Sequence, residues 1–166
     1  MSALHWQGVA LPRVWLAEAI VVPVVALDAR ALETRCERNI GPIVDRTWWL
    51  AASDRSYQNV PAAPLKINGF LVLGDLQRSR SALSRLKTTA PVAALVRSEP
   101  APSALDLMRC DYYGHNVVAA HGADAELLVD AGTWVPPDGF VHFQRKLREE
   151  QLLEVALRTG HASDSL

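Results

Sequence analysis

The chain has 166 residues, 49% of them hydrophobic and 21% charged, and a formal net charge of −1 at pH 7. One domain is the natural count, and it can bury roughly two thirds of the surface its unfolded chain exposes, so folding needs neither disulfides nor a structural metal. The near-neutral balance excludes a whole-molecule field that draws nucleic acid or an anionic membrane.

Cys36 and Cys110 are the two cysteines, and both read as buried thiols of a reducing compartment. Residues 14–27, VWLAEAIVVPVVAL, imitate a secretory signal, but Glu18 and Pro23 interrupt them. The run also falls short of the roughly 20 residues a bilayer-spanning helix needs. A buried strand over 19–27 is expected instead, in a cytoplasmic protein that meets no membrane. Pro23 cannot donate to a ladder, so it calls for an edge position or a bulge.

Asp28 offers an N-cap oxygen to a helix through ARALETRCERN, stopped by Gly41-Pro42. IVDRTWWLA, 43–51, reads as a second strand and 52–64 as a polar surface loop. In PLKINGFLVLGD, Asn68-Gly69 separates two apolar runs and predicts a type I′ hairpin pairing 64–67 with 70–73.

From Phe70 short apolar runs alternate with amphipathic helices: FLVLGD, LQRSRSALSRLK, PVAALVR, SALDLMRCDYYG, NVVAAHG. That alternation is the mark of successive βαβ units. ADAELLVDAG is assigned to one more short helix, TWVPPDG to a loop, and Asp138 to the cap of a long final helix. The expected fold is one α/β domain over 1–160, with helices flanking a mixed, mostly parallel sheet of five or six strands. The long C-terminal helix packs across it or onto a neighbour, and 161–166 fray.

RCDYYGHNVVAAHG, 109–122, is the densest cluster of reactive side chains. The alternation puts His115 at the entrance of a strand and His121 at its exit, about 20 Å apart at 3.3 Å per residue. They are too far apart to share a metal, and no metal site is expected. Cys110, Asp111 and His115 fall at the edge opposite the usual ligand crevice, so the stretch reads as a helix–strand junction. Met108 and Cys110 read as buried helix positions, and Tyr112 and Tyr113 as cover for the helix end, one packed and one partly wet.

The usual crevice lies past the strand exits, where Asp28, Asp75, Arg97 with Ser98 and Glu99, and His121 stand. There Asp75 could take a proton, Arg97 hold an anionic group and His121 transfer protons, as in a small hydrolase or transferase. Each also has a structural use, as a cap or as a solvated charge. The helix from Gln77 to Lys87 carries Arg78, Arg80, Arg85 and Lys87, a solvated face or, as the weakest reading, a nucleic-acid contact. No phosphate-cradling glycine motif, C-x-x-C or nucleophile elbow is present, and no cofactor is expected.

The final helix is apolar on more than one side through Leu152, Leu153, Val155 and Leu157, and so asks for two covering surfaces, the second being another copy, another protein or, equally, its own domain. A non-catalytic interaction protein, self-associating or docking a protein partner through that helix, is the leading expectation.

Overall fold

The computed structural model describes residues 4–53, 62–122, 124–135 and 141–160. In chain order the elements are β1 (Val9–Ala10), β2 (Val14–Leu16), β3 (Ala19–Leu27), α1 (Ala29–Glu37), α2 (Arg46–Ser53) and β4 (Leu65–Leu73). They continue with α3 (Leu76–Lys87), β5 (Val92–Arg97), α4 (Ala104–Tyr112), β6 (Asn116–His121), β7 (Asp124–Val129) and α5 (Val141–Arg158). The strands form one seven-stranded sheet in the order β1-β3-β4-β5-β6-β7, with β2 also on β3. The proposed cap Asp138 and the tail 161–166 lie outside the described residues.

The βαβ expectation holds for the middle of the sheet: β4, β5 and β6 run parallel, with α3 and α4 as their crossovers. The flanks correct the rest. β1, β2 and β4 pair antiparallel with β3, and β7 pairs antiparallel with β6. The sheet is therefore mostly antiparallel and has seven strands rather than five or six.

Three local readings change for physical reasons, and one turn went unread. Residues 46–53 are helical, not a strand, because Asp45 caps them: its Oδ1 accepts from the Thr47 N–H at 2.7 Å and the Trp48 N–H at 3.4 Å. Asn68-Gly69 is not a turn. β4 runs straight through it, and the register against β3 slips between Val24 and Val25. Asn68 Nδ2 donates to the Gln7 carbonyl at 2.6 Å, and Trp6 lies so close over Gly69 that a Cβ there would enter its ring. The pair thus anchors the N-terminal segment.

Residues 124–129 form β7 rather than a helix, since successive residues Leu127 and Leu128 pack on opposite faces of the sheet, and a register shift before Val129 keeps that residue on the face of Leu128. Finally, the β2–β3 reversal is a two-residue turn made by Ala17 and Glu18, at φ +52 and +66. It is a left-handed conformation bare of the glycine or asparagine that usually marks it.

Pro23 is not at an edge, since β4 lies on one side of β3 and β1 and β2 on the other. Its carbonyl accepts from the Leu11 N–H at 2.9 Å, so its missing donor faces the same side, where β1 and β2 leave a break at 11–13. The proline sits where no ladder bond is lost, next to the bulge that its presence called for.

α1, α3, α4 and α5 cover one face: Leu32, Leu83, Cys110 and Leu153 form one buried cluster with Val21, Val72, Ala94 and Ala119. On the other face Val24, Leu71, Ala93 and Val118 are buried with Leu4, Trp6, Leu95 and Leu127 packed against them. α5 is locked to this scaffold by a buried ion pair. Arg35 Nη2 and Nη1 donate to the two carboxylate oxygens of Glu150 at 2.6 and 2.8 Å, the Ile43 N–H adds a bond at 2.9 Å, and Arg35 Nε donates to the Ala62 carbonyl at 3.0 Å.

Among the described residues no helix is long and apolar enough to cross a membrane.

Candidate functional site

Asp75, Arg97 and His121 stand at the carboxyl ends of β4, β5 and β6, all exposed. Asp75 is the N-cap of α3, its Oδ1 accepting from the Gln77 and Arg78 N–H groups at 2.8 and 3.3 Å. His121 Nε2 lies 3.3 Å from Glu126 on the neighbouring hairpin strand. Strand alternation directs Arg97 to the face of Ala93 and His121 to the face of Ala119, which belong to opposite sides of the sheet. Among the described residues no hydrogen bond or ion pair joins any two of the three. Replacing Asp75 with alanine is expected to lower stability by about 1 kcal/mol in urea unfolding, the usual worth of an N-cap, with asparagine restoring most of it.

The 109–122 stretch is a helix–strand junction. Gly114 sits at φ +65, the Gly114 N–H bonds the Asp111 carbonyl at 2.9 Å and the His115 N–H the Cys110 carbonyl at 2.8 Å. That pattern closes a helix end on a left-handed residue. Burial, with Asp106 adding to it, raises the Cys110 thiol pKa above its ordinary value, which disfavours the thiolate a nucleophile needs. Of the two cysteines Cys110 is buried and Cys36 exposed. Among the described residues no group of three or more His, Cys, Asp or Glu side chains is placed to hold a metal.

The reading of α4 itself needs correcting. Leu107 and Cys110 pack inward, but Met108 is 69% exposed rather than buried. With Leu105 at 56% and Tyr112 at 83% exposure, it forms a stripe at i, i+3 and i+7, on the side of α4 turned away from the core. Tyr112 and Tyr113 are both exposed, and their rings meet edge to face at 5.1 Å. Exposed Arg109 and Asp111 flank the stripe with opposite charges.

α5 has less apolar surface to offer than its sequence suggests. Leu152 and Leu153, at 1% and 2% exposure, lie in the chain's own core, Val155 is half-buried, and Leu157 is exposed. The helix is covered by its own domain on two sides: Leu152, Leu153 and Ala156 in the core, Glu150 against Arg35. Glu150 is taken by Arg35, and Glu149 pairs with Arg145 and Lys146, each at 3.1 Å.

A concave site lies at the rim opposite the one the fold rule favours. At the amino ends of β5 and β6 a cavity of about 240 Å³ is lined by Pro91 and Asn116, by Leu4, His5 and Trp6 from the N-terminal segment, and by Leu127, Asp130 and the 132–134 segment that follows β7. Sequence reading missed it because its walls come from opposite ends of the chain. The outward stripe of α4 was missed as well, because Met108 was grouped with Cys110 rather than with Leu105 and Tyr112.

No protein-family model, curated protein or solved structure matches the chain.

Proposed function

We propose that the protein is a non-catalytic assembly protein that self-associates, with the outward face of α4 as its contact surface. The observation that carries this reading is the Leu105–Met108–Tyr112 stripe, three large side chains each more than half exposed on one helix face. A two-fold contact must be self-complementary. An uncharged stripe flanked by Arg109 on one side and Asp111 on the other meets that condition when two copies of α4 cross. The open sheet edge is a poorer contact: β7 carries exposed Asp124 and Glu126, and like charges brought together across paired edges repel. Leu157 of α5 is also exposed, whereas Leu152 and Leu153 are engaged internally.

The test is sedimentation velocity across a concentration series. An oligomer is expected, and Met108→Lys, an exposed change that leaves the core intact, should weaken it by about tenfold or more, as loss of a central interface residue does. A wild-type chain that stays monomeric throughout overturns the reading. An oligomer indifferent to Met108→Lys but dispersed by Leu157→Lys moves the contact back to α5 and overturns the assignment to α4.

A further inference from the structure

We propose that the cavity at the amino ends of β5 and β6 binds a quaternary ammonium group. The inference is independent of self-association through α4, which lies elsewhere on the molecule. Its warrant is the meeting of two indoles and one carboxylate, Trp6, Trp134 and Asp130, in a cavity of about 240 Å³. That is below the roughly 300–1,000 Å³ of pockets for drug-sized ligands, so the occupant is small.

Both indoles line the cavity. The Trp134 N–H is already used, donating to the Lys87 carbonyl at 2.7 Å, and its ring already holds one cation, the Arg145 guanidinium 5.6 Å from the ring centroid. Trp6 is held in place by Gly69, which has no Cβ to push the ring off the sheet. Trp faces are the most favourable of the aromatic side chains for a cation.

The polar groups point the same way. Asn116 has spent both ends of its amide, on the Val92 carbonyl at 3.2 Å and the Ala131 N–H at 2.9 Å. Asp130 uses Oδ1 to accept from the Gly132 N–H at 3.0 Å, and among the described residues no ion pair neutralises it. The site thus offers a carboxylate and two indoles, with His5 and Thr133 as its remaining polar side chains. A quaternary ammonium, which has no N–H to satisfy, suits that balance better than a primary amine.

Two sources carry this group, a free choline-like metabolite and a trimethylated lysine on a protein tail, and titration calorimetry on the full chain separates them. Choline, a trimethyllysine peptide and 3,3-dimethylbutanol, the uncharged isostere of choline, are titrated in parallel. Saturable binding of choline or of the peptide, with a Kd of about 1 mM or tighter, is expected, with the alcohol weaker by about tenfold. Asp130→Asn, which keeps the oxygen that accepts from Gly132, should weaken the cation by about tenfold without changing the thermal melt, and Trp134→Phe should weaken it less. Binding by the peptide alone assigns the site to a protein tail, and binding by choline alone to a small molecule. No saturable binding of either cation, or equal binding of the alcohol, overturns the proposal.

Discussion

Replacing Glu150 with alanine is expected to destabilise the protein by about 3–5 kcal/mol, the cost of removing one partner from a buried ion pair. The carboxylate is fully buried and accepts from both terminal nitrogens of Arg35 and from the Ile43 N–H. Its loss leaves a guanidinium inside the protein without its bidentate counter-charge, and α5 without its tie to α1. In urea unfolding the midpoint should fall by roughly 2 M for a denaturant slope of about 2 kcal/mol per molar. The paired change Arg35→Met with Glu150→Leu should cost far less than the single one, since apolar side chains of similar size replace buried ion pairs with little loss. A single-site cost under about 1 kcal/mol would mean that the pair is solvated and that α5 is held by its leucines alone.

This pair also shows where sequence reasoning stops. Caps are local, and two of them were legible: Asp28 and Asp75 each accept a backbone N–H of the helix that follows. The Asp45 cap was not, because the apolar run after it also fits a strand. The parallel β4–β5–β6 unit followed from the periodicity between Phe70 and His121. Turns were not. The Asn68-Gly69 pair, the strongest turn signal in the chain, serves a bulge beneath Trp6, while a tight reversal is made by Ala17-Glu18, whose residue types disfavour its left-handed geometry by about 1–2 kcal/mol each. Neighbouring strands impose that cost, and only tertiary structure can reveal it.

The surface was misread for a related reason. On α4 the inward pair Leu107 and Cys110 and the outward trio Leu105, Met108 and Tyr112 both have helical spacing, so periodicity could not say which one the sheet would cover. On α5 the two-sided apolar character was legible, and of the two coverings it allowed, a partner or its own domain, Leu152, Leu153 and Ala156 take the second. The cavity left no local trace, because Trp6 and Trp134 meet only when the first and last thirds of the chain close around β5 and β6.

Acid should act on the protein through His115, and the direction follows from its surroundings. The imidazole is 1% exposed, its Nδ1 finds no hydrogen-bond partner, and its ring stacks on Tyr113 at 6.1 Å. Burial first, and the positive charge of Lys87 second, lower its pKa from 6.5 to about 4. Lys87 is held nearby by its own bond to the Tyr113 carbonyl at 2.6 Å. The folded chain therefore keeps His115 neutral where the unfolded chain takes up a proton. Between pH 6.5 and 4 the unfolded state binds more protons, so this group's contribution falls as pH drops through that window and is undiminished above it. At about 1.4 kcal/mol per pH unit, the loss approaches about 3 kcal/mol near pH 4. His115→Phe keeps a ring against Tyr113 but cannot be protonated, and it also removes the unsatisfied nitrogen. Unfolding free energies measured at pH 7 and pH 4.5 should fall less in the variant than in the wild type, by about 2–3 kcal/mol. The carboxylates that titrate in the same range are common to both proteins and cancel in that difference. Parallel losses in the two would show that His115 is accessible to protons in the folded state and that its burial against Lys87 and Tyr113 is not maintained in solution.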